Sequence, residues 1–422
     1  MNKIIENTSI EQWVFISILL RLIVMPFTVH GDIYHIAQWP HFIAHGDWDV
    51  FGLAERAGIN YYAPFLAVFM AGYQFIITAF SPGVEGFIHN LNDSLFSAKI
   101  ALQSEYLFQS LTLLKLPYLI FDLILIWICL NMLTEEHLKK GFLIYWALNP
   151  IVIYSTFMMG QCDIMAGFFT ILACHFSLQK GKEKYACLSI ALGTLFKIFP
   201  IIFFPLVLCI SSKSAKDFFW LSLYGILPVV AVYGLFYFIS GDAVFKVFDV
   251  AGGYSKSSTQ ILDLFWRLTQ ASLYALVCYH AFFIKKNKLD YSSLFQYFLV
   301  VYLAIYLGFN YYSTHHISWF IPFLILYVIQ HPAWKWPYYL LMIIVFLATL
   351  KARSMCFGIF APLNPKLFNS LPALKDVVGY FFNVQIYYMT VNIFFKGLII
   401  VLLGSVLLNL FFHNEKREVK AL

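Results

Sequence analysis

Long apolar runs broken by short polar stretches dominate this 422-residue chain. A helix needs about 20 apolar residues to cross a bilayer. Apolar runs, several of them shorter than that, recur near 11–29, 111–133, 141–156, 164–178, 186–196, 198–210, 218–239, 261–284, 292–309, 319–330, 338–350 and 391–412. The pattern predicts an all-α polytopic membrane protein with about 12 transmembrane helices. The two short runs flanking Lys197 read as one broken helix or two half-length ones. Such backbone is tolerated in a membrane only where protein or a water-filled cavity satisfies its polar groups. Tyr62–Phe80 is also apolar, but a span there would invert every later loop. It is therefore read as a membrane-dipping helix inside one long outer loop, 30–110.

The basic residues set the orientation. With the N-terminus inside, the inner segments are 1–10, 134–140, 179–185, 211–217, 285–291, 331–337 and 413–422, and they hold more than half of the 28 Lys and Arg. The short outer loops 156–163 and 310–318 hold none. This is the asymmetry expected of cytoplasmic loops, and it puts both termini in the cytoplasm. Three outer loops are long: 30–110, 240–260 and 351–390. The first carries Trp39, Phe42, Trp48 and Phe51, which predict short amphipathic helices lying in the interface. Residues 1–330 read as one transmembrane module, and 331–422 as C-terminal helices with the 351–390 loop.

Composition agrees with this class. The chain is 61% hydrophobic and 19% aromatic, against about 45–50% apolar in soluble domains. Its net charge of +6 is dispersed, so it signals no nucleic-acid partner. The seven Cys lie mostly in apolar runs without metal spacing and read as small core residues. The first apolar run lacks a small-residue cleavage site and reads as a retained span.

Polar residues at the outer ends of the spans are the candidate chemistry, because ionisable groups near a bilayer are costly unless used or paired. Asp32, in HGDIYH after the first span, can accept a proton from a hydroxyl as a general base, or cap the next helix. Asp47 and Asp49 have spacing that can hold a divalent cation, but a capped turn suits them better. Gln161 and Asp163 follow a helix break at Asn149-Pro150, and Asp163 can also cap a helix. Lys197, in LFKIFPIIFFP, is flanked by apolar residues and needs an anion: a leaving phosphate, or a carboxylate such as Asp122 or Asp163. Asp122 itself, buried in a span, can be purely structural. His315 and His316 can donate hydrogen bonds to a phosphate or a sugar, or belong to an aromatic belt. Lys351 and Arg353 can meet a phosphate or anchor at the interface. Asp32, Asp163, Lys197, His315 and His316 all fall on the outer half of the membrane under this one topology.

Several of these stretches together resemble the GT-C fold glycosyltransferases. HGDIYHIAQW resembles the GD-containing first outer loop of that family. NYYAPFLAVF, with Tyr61 and Tyr62, resembles its YPPL-like helix start. LNPIVIYSTFMMGQCD followed by TLFKIFPIIFFP resembles its NP…GQxD and FKxxP pairing, and HHISWFIPFL its later His-containing outer loop. The resemblance spans roughly residues 10–330. It implies an inverting hexosyltransferase, mannosyl- or glucosyltransferase-like, that uses a polyprenyl-phosphate sugar donor and a glycan, glycolipid or protein acceptor. It implies Asp32 as the catalytic acidic residue, with Lys197 and a His of 315–316 near the donor phosphate. Gln161, Asp163, Arg353, Tyr61 and Tyr62 are further candidates for binding substrate. Many members carry a second acidic residue beside the first. Here Tyr34 and His35 follow Asp32, so no metal or other cofactor is expected. The expected setting is a bacterial inner membrane with the site facing outward. A secondary transporter or a flippase of lipid-linked glycan is the alternative reading, since broken helices and a buried lysine also occur there.

Overall fold

A computed structural model describes residues 8–57, 62–93, 101–248, 260–284, 289–308 and 314–413. The described residues are almost entirely helical, and each of the twelve predicted spans coincides with helix. Length alone singles out fewer of them. Ile10–Phe27, Leu107–Met132, Ala215–Phe248 and Val384–Phe412 are long and apolar enough to cross a membrane. The pair Glu136–Ala147 and Pro150–Met158, bent by 42°, makes a fifth where the two cross as one span, and a re-entrant loop otherwise. Shorter apolar helices cover Pro64–Phe80, Asp163–Ser177, Phe199–Ser211, Tyr291–Leu307 and Ile321–Gln330. The protein is thus an integral, multi-pass membrane protein in which many segments are shortened by built-in breaks.

Two of those breaks have clear local causes. At Asn149-Pro150 the Asn149 carbonyl Oδ1 accepts from the Ile151 and Val152 amides at 2.9 and 3.0 Å. It caps a new helix whose first residue is Pro150, where the missing N–H costs nothing. That helix widens into a π-turn over Ile153–Met158. At Lys197 the backbone is extended (φ −158°, ψ 137°), and a short 3-10 helix, Phe199–Phe203, starts at once.

Two polar clusters lie within the apolar interior; Asp122 was expected there as a structural residue, whereas Arg21 and Lys115 were not anticipated from the sequence. Arg21 and Asp122 are fully buried and paired at 2.6 Å. Asp122 also accepts from the Trp146 indole at 2.7 Å, and Arg21 donates to the Ser17 and Ala147 carbonyls. The pair locks the first span to Leu107–Met132 and Glu136–Ala147. Lys115, also fully buried, donates to the carbonyls of Met25 (2.9 Å), Thr28 (2.7 Å) and Met158 (3.3 Å). A cation is favoured there because the carbonyls at a helix C-terminus carry partial negative charge. Lys115 therefore ties the end of the first span to the end of the π-turn. Both of those ends lead directly into the candidate site.

The long first outer loop is less interfacial than its aromatics suggested. Gly31–Ala44 packs against Pro64–Phe80. Trp39 and Phe51 are buried, with ring centroids 5.3 Å apart, while Trp48 is exposed. Burying large rings against protein removes more apolar surface from water than resting them at a headgroup layer. The first outer loop meets the second, and the end of the first span meets the third. Glu55 pairs with Lys246 of the second, and the Val29 amide donates to the Ile359 carbonyl of the third at 2.8 Å. Between the segments 179–185 and 211–217, Lys213 pairs with Glu183 at 2.8 Å.

Arg21→Met should lower stability by about 3–5 kcal/mol, because it strands the buried Asp122 carboxylate. Adding Asp122→Asn keeps an acceptor for Trp146 and removes the charge, so at least half of that loss should be recovered. Thermal unfolding of the purified protein in detergent measures this. A double variant no more stable than Arg21→Met would show that the pair is not what carries the effect.

Candidate functional site

The site is assembled from four segments that meet around residues 160–163. Asp32 lies in the first turn of Gly31–Ala44, where a carboxylate is favoured by the unpaired helix amides. The helix cap is His30 rather than Asp32. The His30 Nδ1 lies 2.7 Å from Asp32 Oδ2 and 3.3 Å from the Asp32 amide. One ring nitrogen cannot donate to the first and accept from the second, and the shorter contact to a carboxylate favours an Nδ1–H donor. Gln161 donates its side-chain amide to the same Asp32 oxygen.

Gln161 is placed by a glycine. Gly160 has φ +80°, and a Cβ there would come within 2.9 Å of Ile33 Cδ1. Only glycine takes this conformation and this close approach readily. The turn brings Gln161 onto Asp32 and starts the next helix at Asp163. Asp163 is buried in the first turn of Asp163–Ser177. It lies 2.8 Å from the Lys197 ammonium and accepts from the Trp319 indole.

Lys197 therefore has a carboxylate partner, and of the two expected candidates it is Asp163, since Asp122 is held by Arg21. The Lys197 side chain is 21% exposed and Asp163 0%. The cation is thus the member of the pair that an incoming anion can reach. Trp319 covers it, with the ammonium 5.7 Å from the ring centroid, and stacks on Phe199 at 4.0 Å. His316 lies against Trp319 at 4.9 Å, and His315 against His316 at 4.2 Å. Tyr62 is partly buried just before Pro64–Phe80. Burial, with the Asp32 and Asp163 charges nearby, holds its phenol well above the usual range.

The electrostatics join the two halves. Burial pushes the Asp32 carboxyl up, but the His30 hydrogen bond and charge, then His315 and Lys197, outweigh it and leave the group well below the usual carboxylate range. Burial and the Lys197 charge push His315 down to about 3, against the pull of Asp32. His316 is lowered by burial, then by His315 and Lys197. Both imidazoles are neutral at physiological pH, so each can donate one hydrogen bond without adding charge.

Asp32, Gln161, Asp163, Lys197, His315, His316 and Tyr62 are thus brought together. Arg353 is not among them: it pairs at 3.5 Å with Asp376 on the exposed face of the third outer loop. Tyr61 lies outside the described residues. Lys351 sits over the Tyr388 ring at 4.9 Å. Asp49 accepts from the Gly52 amide at 3.1 Å, and Asp47 from the Asp49 amide at 3.0 Å, the capped turn that their spacing allowed. His30 and Trp319 were missed. The signal for His30 was its place directly before Gly31-Asp32; Trp319 carried none beyond lying beside the two His.

The model of glycosyltransferase family 87 matches residues 106–316, half of the chain. That segment includes Gln161, Asp163, Lys197, His315 and His316, and begins after Asp32. No curated protein and no solved structure matches the chain.

The sign of a pH effect follows from Asp32. Its pKa is lowered in the folded protein, so the ionised form persists as pH falls until that lowered value is reached. His30→Gln removes the largest lowering influence and leaves burial to raise the carboxyl. The acid limb of kcat/KM, followed over about pH 4–8, should move to higher pH in this variant. An unmoved limb would mean that His30 does not control the carboxylate.

Proposed function

The chain belongs to glycosyltransferase family 87, and on that basis we propose that it is an inverting enzyme moving a hexose from a polyprenyl-phosphate carrier to an acceptor hydroxyl. The reaction takes place on the extracytoplasmic face, in a bacterial inner membrane with both termini cytoplasmic. One observation carries the reading: a carboxylate and a reachable ammonium are held at either end of a single turn, Gln161 on Asp32 and Asp163 on Lys197.

Asp32 takes the proton of the acceptor hydroxyl. The oxygen attacks the anomeric carbon from the face opposite the carrier, and the bond to the carrier phosphate breaks with inversion. The departing phosphate takes up the electron pair and is met by Lys197, with His315 or His316 donating a hydrogen bond. Charge that develops on the leaving group is where a fixed cation lowers the barrier most. Gln161 and His30 keep the Asp32 carboxylate ionised and aimed. The helices of the 30–110 loop and the 351–390 loop cover the site and limit water, which would otherwise hydrolyse the donor. Residues 1–330 act as the catalytic module and residues 331–422 contribute to acceptor choice; the shorter helices of the whole chain complete a count of about 12 spans.

The test is transfer of radiolabelled hexose from a polyprenyl-phosphate carrier by purified protein in detergent, where a transporter or flippase would show no turnover. Asp32→Asn should lower kcat by about 10²–10⁴-fold while donor KM and the thermal midpoint hold. Wild-type turnover in that variant would remove Asp32 from the role. Lys197→Gln combined with Asp163→Asn, which avoids stranding a buried carboxylate, should cost about 10²–10³-fold in kcat. Unchanged kcat would separate Lys197 from the leaving phosphate.

A further inference from the structure

The third outer loop ends in a short helix, Leu374–Phe381, which leads into the last long span, Val384–Phe412. One side of this helix is tied to protein. Ala373 before it is buried, the Leu374 amide donates to the Cys356 sulfur at 3.4 Å, and Asp376 pairs with Arg353 at 3.5 Å. The Tyr154 hydroxyl donates to the Met355 carbonyl, so the 353–356 segment rests on the π-turn beside the candidate site. The other side of the helix is bare. Val377, Tyr380 and Phe381 share one face at helical spacing, and Phe382 follows them. Tyr380, Phe381 and Phe382 are 85%, 70% and 72% exposed. Three adjacent rings left in water forgo the gain that burial brings, and such a patch marks a surface that something covers.

Two observations say what covers it. The patch is continuous with the apolar outside of the last span. Phe382 is extended, and Asn383 caps the span by accepting from the Gln385 and Ile386 amides at 2.9 and 3.2 Å. From there Ile386, Met389, Ile393 and Ile400 form one exposed stripe at helical spacing. The rings therefore stand at the outer mouth of a span, the level at which aromatic side chains meet lipid headgroups. The charge of the loop is the second observation. Residues 351–390 carry Lys351, Arg353, Lys366 and Lys375 against one acidic residue, Asp376. A basic excess is the reverse of the usual outer-loop pattern. Asp376 offsets Arg353, and Lys366 and Lys375 are both exposed.

We infer that Leu374–Phe381 is an interfacial helix that docks the third outer loop on the outer leaflet. Tyr380, Phe381 and Phe382 enter the boundary between headgroups and acyl chains, and Lys366 and Lys375 engage anionic phospholipid. The loop is then held from two sides, by lipid at Phe381 and by the π-turn at Tyr154. This contact is independent of the reaction proposed above.

The experiment uses the full chain, first in isolated membranes and then in nanodiscs. Benzoylphenylalanine placed at Phe381 and irradiated in the membranes should form a phospholipid adduct, read by mass spectrometry of the peptide that contains it. An adduct to a second copy of the chain or to another protein, or no adduct at all, would overturn the assignment. In phosphatidylcholine nanodiscs, adding phosphatidylglycerol should slow amide hydrogen exchange across 374–382 about five-fold or more. Lys366→Gln with Lys375→Gln should abolish that slowing, and Phe381→Ser with Phe382→Ser should speed exchange in both lipids. All four side chains are exposed, so these changes leave the fold intact. Exchange that ignores phosphatidylglycerol, stays slowed without the lysines or is unchanged without the rings would equally overturn it.

Discussion

The constraint on which the rest depends is the turn at Gly160–Asp163. Two residues apart, Gln161 and Asp163 reach in different directions, one to Asp32 and one to Lys197. The turn exists because Gly160 can adopt a positive φ against Ile33, and because the π-turn before it delivers the chain at that height. Each outlying charge then has a reason for its position. Asp32 is ionised because His30 and Gln161 satisfy it. Lys197 is charged in an apolar setting because Asp163 satisfies it. Neither could be buried to this degree alone, since an unpaired charge away from water costs several kcal/mol.

Behind the site, Lys115 and the Arg21–Asp122 pair hold the elements that carry it. Lys115 collects carbonyls from the ends of two helices, and Arg21 joins three. A polar network of this kind fixes register where apolar packing alone is permissive. The precision of the site thus derives from buried polar contacts about one helix end away from it, and not from the loops that cover it.

Much of the helical layout could be read from the sequence, because apolar runs of span length have few other interpretations. Segments that the positive-inside pattern placed on one side of the membrane do lie in contact, at residues 55 and 246 and at 29 and 359. The gathering of Asp32, Gln161, Asp163, Lys197, His315 and His316 was legible from topology and from the order of short motifs. What stayed hidden depended on side-chain direction. The choice of Asp163 over Asp122 as partner for Lys197 turns on Arg21, an ionisable residue in an apolar run carrying the same signal that marked Lys197. Trp39 and Phe51 read as interface anchors, yet they face protein, because composition does not distinguish a ring against lipid headgroups from one against a neighbouring helix. Arg353 looked available to a phosphate, but Asp376, 23 residues on, takes it.

The central claim is that acid–base and phosphate-holding groups share one outward-facing chamber. A cryo-electron microscopy structure of the full chain with a polyprenyl-phosphate bound tests it most directly. Phosphate density is expected in contact with Lys197 and His315 or His316, with Asp32 across the same chamber on the side of the 351–390 loop. Phosphate held at the inner end of the helices, or in a cavity that Asp32 does not line, would contradict it.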